Sequence, residues 1–224
     1  MESAANDLTP LFEQLASGTT TTVKIFILLT IMSFSSAILV SITCFTRIII
    51  VLSFLRQAIG APQLPPNQVV LGLAIFLTAF IMSPTLKELN QKALTPFLDD
   101  QISHTEAGDR TSTIIKKFIL KQTRPKDIRT FYEIAGTARP SKNDEIPLAI
   151  AAPAFMVSEL TTAFQMGLYL FVPMVLIDLL VAGVLMSLGM MMVPPMMITL
   201  PLKVGVFLLA DGWHLVVTSL ARSF

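Results

Sequence analysis

The residues with most chemistry to offer are six charges set in or beside apolar sequence: Arg47, Arg56, Glu159, Asp178, Lys203 and Asp211. A charge at bilayer depth costs at least ~2.5 kcal/mol, so each must face protein or water. Opposite signs permit buried ion pairing, although one sequence does not assign the partners. Arg47 and Glu159, apolar on both sides, are each expected to be paired inside protein, with the partner of either left open. For Arg56 and Asp178 a second reading stands beside pairing, in which they mark helix ends and reach the interface. Arg47 and Arg56 lie on opposite sides of one straight helix, so neighbours are expected on both of its faces.

A second concentration is "LMSLGMMMVPPMMITLPLK", residues 185–203, with six methionines and three prolines. Methionine is the least shape-defining apolar side chain, and proline removes a backbone donor. If helical, Met190, Met191 and Met192 point in three directions about 100° apart and form no stripe. Pro194 and Pro195 bias their predecessors away from helix, which predicts a break over residues 190–195. Irregular backbone at membrane depth is tolerated only inside protein or beside water. Two readings follow: a proline-kinked helix with methionine as gap filler, or a methionine surface lining a cavity.

Bond-making chemistry finds no comparable set. His104 and His214 are far apart in sequence, and the lone Cys44 excludes an internal disulfide framework or a multi-cysteine metal site. No metalloprotease, nucleophile-elbow, phosphate-loop or dinucleotide motif is present. The acids in the apolar runs have no nearby second acid to form a protease dyad. We expect no catalysis, no cofactor and no metal.

The elements that must position these residues are long apolar runs. The chain is 53% hydrophobic and 14% charged, against roughly 25% charged in an ordinary soluble domain. Its net charge of +1 argues for no nucleic acid. Residues 87–145 hold 11 basic and 9 acidic side chains, and the rest of the chain is sparsely charged. The expected plan is all-α: a polar segment over 1–22, a first apolar helical hairpin over 23–86, a soluble helical insert over 87–145, and a second apolar hairpin over 146–224.

Runs over 25–46, 67–86, 161–177 and 179–202 each approach the ~20 residues that cross a bilayer. Gly60, Pro62, Pro65 and Pro66 make a tight connection between the first two. Around Asp178 either a short turn or one continuous helix is compatible with the sequence. In the insert, apolar residues at helical spacing predict two short amphipathic helices split at Pro125, forming a small packed domain. Arg47 and Arg56 flanking the first loop favour an inside loop and an outside insert.

Two blocks carry a resemblance. "FTRIIIVLSFLRQAIGAPQLPPNQVVLGLAIFLTAFIMSP" (45–84) and "SELTTAFQMGLYLFVPMVLIDLLVAGVLMSLGMMMVPPMMITLPLKVGVFLLADGWHLVVTSL" (158–220) resemble the flagellar export-gate family, FliP. "GMMMVPP" and "ADGWHLVVTSL" look more like the flagellar branch than the injectisome branch. The resemblance implies a core subunit of a type III secretion export gate in the bacterial inner membrane, at the flagellar basal body. It implies a homo-oligomer, a pentamer in that family, assembled with FliQ-like and FliR-like subunits around a passage for unfolded flagellar proteins. It implies that much of the complex stands out of the bilayer plane, against a literal four-span topology. The insert then faces the periplasm.

The family's methionine constriction corresponds to Met190, Met191 and Met192. Family precursors carry a cleaved signal peptide. Residues 1–22 show none, so the chain is either mature-like or inserted by its first apolar run. The rival from another class is a small-solute or ion transporter built on the intramembrane charges and the broken helix. An intramembrane enzyme is more distant.

Overall fold

The computed structural model of the chain describes residues 40–140, 142, 145–190 and 192–224, together with positions 23, 25, 26, 29, 30, 32 and 33. Two compact units result, Met1–Val40 and Ser41–Phe224. In the first, the described positions are helical. There the Thr30 and Ser33 hydroxyls donate to the carbonyls of Phe26 and Leu29, both at 2.8 Å. The polar segment 1–22 and much of the expected span over 25–46 lie outside the described residues.

Among its described residues the second unit is all-α. Its elements are α1 (Phe45–Ile59), α2 (Asn67–Leu89), a π-helical turn (Asn90–Leu94), α3 (Thr95–Leu98), α4 (His104–Gln122), α5 (Pro125–Ala135), α6 (Leu148–Ser187), α7 (Met196–Leu209) and α8 (Gly212–Arg222). The helix α1 is the centre. Ile48, Val51, Leu52, Leu55, Ala58 and Ile59 recur every three or four residues and are buried. They meet Val70, Ala74 and Leu77 of α2, Ala163 and Met174 of α6, and Phe207, Val216 and Leu220 of α7 and α8.

The end of α1 is set by Gly60, whose φ of 86° suits a residue without Cβ. Its N–H donates to Gln57 O and the Ala61 N–H to Arg56 O, which satisfies carbonyls the helix would otherwise orphan. The chain then reverses into α2. Arg56 reaches Asn67 beside the loop, and Cys44 Sγ lies 3.9 Å from Thr78 O farther along, as antiparallel packing requires. The π-helical turn precedes Pro96, which has no N–H for the Lys92 carbonyl. Arg110 of α4 donates to that carbonyl instead, at 2.9 Å.

Helix α6 runs unbroken for 40 residues, about 60 Å, through Asp178. Of the two readings at Asp178, the continuous helix is the one adopted. Ile177, Leu179 and Leu180 sustain a helix, and no glycine or proline adjoins the acid. Pro153 and Pro173 each remove one N–H without ending the helix.

The insert's two helices split at Arg124, with Pro125 as first residue of α5. Ser103 caps α4 by accepting from the Glu106 N–H. Their apolar faces close on α6: Ile119, Ile128 and Tyr132 pack with Ala151, Ala154 and Phe155 in one buried cluster. The insert therefore shares its core with the first third of α6.

Helices α1 and α6 pack tightly at Gly167, where an added Cβ would lie 2.6 Å from Phe54 Cγ. Phe54 is held in turn by an edge-on contact with Phe164, centroids 5.2 Å apart. Gly167→Ala should therefore destabilise by about 1–3 kcal/mol through overpacking. A thermal or denaturant midpoint in detergent measures it. An unchanged midpoint would mean that α1 and α6 separate more easily than this packing implies.

Candidate functional site

Arg47 and Glu159, 112 positions apart in sequence, meet in the interior. Arg47 Nε donates to Glu159 Oε2 at 2.9 Å and Nη2 donates to Oε1, a two-bond fork. Nη1 donates to Ser223 O at 2.7 Å and to Ser223 Oγ at 2.9 Å. The guanidinium also lies 3.8 Å from the centre of the Phe224 ring. Arg47 is 2% exposed and Glu159 0%. Lys121 and Gln122 of α4 donate to a Phe224 backbone oxygen, so α1, α4, α6 and the segment after α8 converge on one knot.

A second pair braces α7. Lys203, 5% exposed, donates to Asp178 Oδ2 of α6 at 2.5 Å and to Ala58 O of α1 at 3.2 Å. Ala58 O lacks a helical partner because the residue four ahead is Pro62, so the ammonium satisfies a helix C-terminus carrying partial negative charge. Asp178 keeps 41% of its side chain exposed, on the edge of a cavity that Met196, Pro195 and Gly60 help to line.

Between α6 and α7 lies the methionine turn. The break is made earlier than the prolines. Helix α6 ends at Ser187, and Gly189 at φ 72° donates to Met186 O while Met190 N donates to Leu185 O. That two-bond cap is glycine's doing, because a Cβ is strained in the left-handed region. Pro194 and Pro195 lie between the two helices, after Ser187 and before α7 begins at Met196. Pro195 has helical φ and ψ, and its carbonyl accepts from the Ile198 and Thr199 N–H groups. Met190 is 44% exposed and Met192 98%. Met191 lies outside the described residues.

The remaining two charges depart from burial with a partner acid or base. Arg56 is half-buried and donates to Asn67 Oδ1 at 2.6 Å and Pro65 O at 3.3 Å, both neutral. It faces α2 while Arg47 faces α6, so the two arginines have different neighbours. Asp211, expected among the buried charges, is exposed. The reason is local: it occupies the bend between α7 and α8 in the left-handed region, at φ 50°, outside the helical faces that pack.

Sequence reasoning passed over a polar clasp between the insert and α6. Asp127 Oδ2 accepts from Ser158 Oγ at 2.5 Å and from Arg124 Nε at 2.8 Å, and Ser158 Oγ accepts from the Arg124 N–H at 3.0 Å. The signal was available in part, since an acid in the first turn after Pro125 favours a helix N-terminus. Burial alone would raise the Asp127 carboxyl, but the bonds from Ser158 and Arg124 outweigh it and hold it below its ordinary value. A depressed folded pKa contributes stability above the unfolded value and loses it as pH falls through the folded one. Asp127→Ala should therefore cost about 1.5–3 kcal/mol at pH 7 and much less in acid strong enough to protonate the folded carboxylate. Melting curves of wild type and variant at both pH values check this. A difference independent of pH would mean that the carboxylate charge is not what Ser158 and Arg124 hold.

Among the described residues no three His, Cys, Asp or Glu side chains gather in a way that could hold a metal. The arrangement consists of two braced charge pairs and an apolar turn whose Met190 and Met192 are exposed. The chain matches the FliP family over residues 28–220. Curated relatives named flagellar biosynthetic protein FliP are similar along most of their length. That of Bacillus subtilis (strain 168) is 52% identical over 203 residues, 91% of this chain and 92% of the relative. Those of Aquifex aeolicus (strain VF5) and Borreliella burgdorferi are 48% and 41% identical, each over 90% of this chain and over 85% and 80% of the relative.

Proposed function

The chain belongs to the FliP family, and on that premise we propose that it is a core subunit of the flagellar type III export gate. In this reading several copies, five in the family's pattern, assemble with FliQ-like and FliR-like subunits in the bacterial inner membrane at the flagellar basal body. Together they enclose a passage for unfolded flagellar proteins. The role is conduction and sealing, without catalysis, a bound metal or a cofactor.

The observation that carries the reading is the methionine turn. Met192 is 98% exposed at the tip between two helices that the Lys203–Asp178 pair holds in place. Unbranched, polarizable side chains on a ring of such tips can close on each other when empty and yield to chains of varied sequence. Pro195 stands at the N-cap of α7 immediately after the turn, which keeps it short.

Two features support assembly out of the bilayer plane. Among the described residues, Asn67–Leu98 and Leu148–Ser187 are apolar enough to cross a membrane, but span 32 and 40 residues. At 1.5 Å per residue these exceed a ~30 Å hydrocarbon core. Apolar side chains such as Phe76, Phe80, Phe164, Leu168 and Tyr169 remain exposed along them, more than a monomer leaves uncovered in water.

Native mass measurement on the complex co-expressed with its FliQ-like and FliR-like subunits tests the proposal. The expected species contains several copies of this chain and both partners. A well-behaved monomer would favour the transporter reading instead.

A further inference from the structure

Of the six charges in apolar surroundings, four are matched within the chain: Arg47 by Glu159, and Lys203 by Asp178. One cation and one acid remain. Arg56 has only neutral acceptors, and its Nε is shielded from solvent with no acceptor at all. No carboxylate lies within ion-pair distance of it among the described residues. Asp211 is exposed, and its carboxylate makes no capping bond to α8 although it occupies the N-cap position.

The segments that carry these two groups border one cavity. Pro65, whose carbonyl accepts from Arg56, shares a cavity wall with Trp213, two residues beyond Asp211. Asp211 is also held where it is. The α7–α8 bend is 63°, and Gly212 lies so close to the Phe207 ring that a Cβ there would be 2.2 Å away. The acid stands beside Leu208 and Leu209, 63% and 91% exposed, and the arginine beside Leu64 and Val69, also exposed. Each charge thus has an apolar collar that stays exposed among the described residues.

We infer that Asp211 of one copy pairs with Arg56 of its neighbour, with Leu209 seated against Leu64 and Val69. Copies related by rotation about an axis along the helices keep their level, so a head-to-tail ring brings a group on one face to a different face of the next copy at equal height. Pairing supplies the carboxylate that the Arg56 guanidinium lacks and removes an exposed acid from an apolar rim. The inference rests on the reading that this chain assembles with copies of itself.

Charge exchange in the co-expressed complex tests it, with the yield of multi-copy complex by native mass as the readout. Arg56→Glu and Asp211→Arg should each lower that yield by roughly tenfold or more, the order expected where like charges or an unpaired charge replace a matched contact. The two changes together should restore most of it. Because a reversal could impair folding, a second experiment mixes two differently tagged chains in a Cys44→Ser background, one carrying Arg56→Cys and the other Asp211→Cys. Mild oxidation should then yield a dimer bearing both tags.

Failure of the double reversal to rescue, with wild-type complex intact, overturns the pairing and leaves the export-gate reading standing. So does the absence of a dimer bearing both tags when the mixed complex assembles. A wild-type chain that stays monomeric overturns both.

Discussion

Arg47→Ala is expected to cost about 3–5 kcal/mol of stability, enough to reduce intact complex by two orders of magnitude or more. The size follows from what is left behind. Glu159 is wholly buried, and both of its carboxylate oxygens accept from this one guanidinium. Ser223 would lose its donor and Phe224 the cation over its ring. An uncompensated buried carboxylate must become neutral or draw in water, and either loosens the junction of α1, α4 and α6. Replacing both partners with leucine should cost far less, because it leaves no charge behind. Blue-native gels of membranes from the single and double variants measure the contrast. Wild-type levels of complex in Arg47→Ala would mean that the arginine can reach water.

The second large effect concerns Met190, Met191 and Met192. Replacing all three with alanine should open a resting leak of ions and small solutes while leaving the complex assembled. Met190 is half exposed and Met192 almost fully so in the single chain, so their truncation removes little packing there. In a ring the lost volume is multiplied by the copy number, and a dry apolar constriction becomes wide enough to wet. Were these residues core filler, the same change would cost roughly 2–5 kcal/mol per buried site and the complex would be lost without a leak. Yield and permeability measured in the same cells separate the two outcomes.

The helical class was legible in the apolar runs, whose length and lack of strand punctuation leave few alternatives. Legibility stopped where placement depends on distant chain. The sign and apolar flanks of Arg47 can be read locally. That Ser223 and Phe224 complete its surroundings cannot, because 176 positions separate Arg47 from Ser223. The methionine turn shows a subtler limit. Two prolines draw the eye, yet the helix ends at Gly189, where a left-handed φ terminates α6 before any proline is reached. Asp178 shows the opposite case, a charge that interrupts hydropathy without interrupting the helix, because its lysine partner arrives from α7. The clasp of Asp127 with Ser158 was hidden because a serine in an apolar run carries no sign of what it faces.

In the proposed gate the methionine turn lines the passage taken by exported chains. A photo-reactive side chain at position 192, with a flagellar substrate stalled in transit by a folded fusion, tests it most directly. Cross-links should form to the stalled substrate from position 192 and not from position 134, which is also exposed but lies on α5 of the insert. Equal cross-linking from both positions, or none from position 192 while the substrate remains bound to the complex, would contradict the claim.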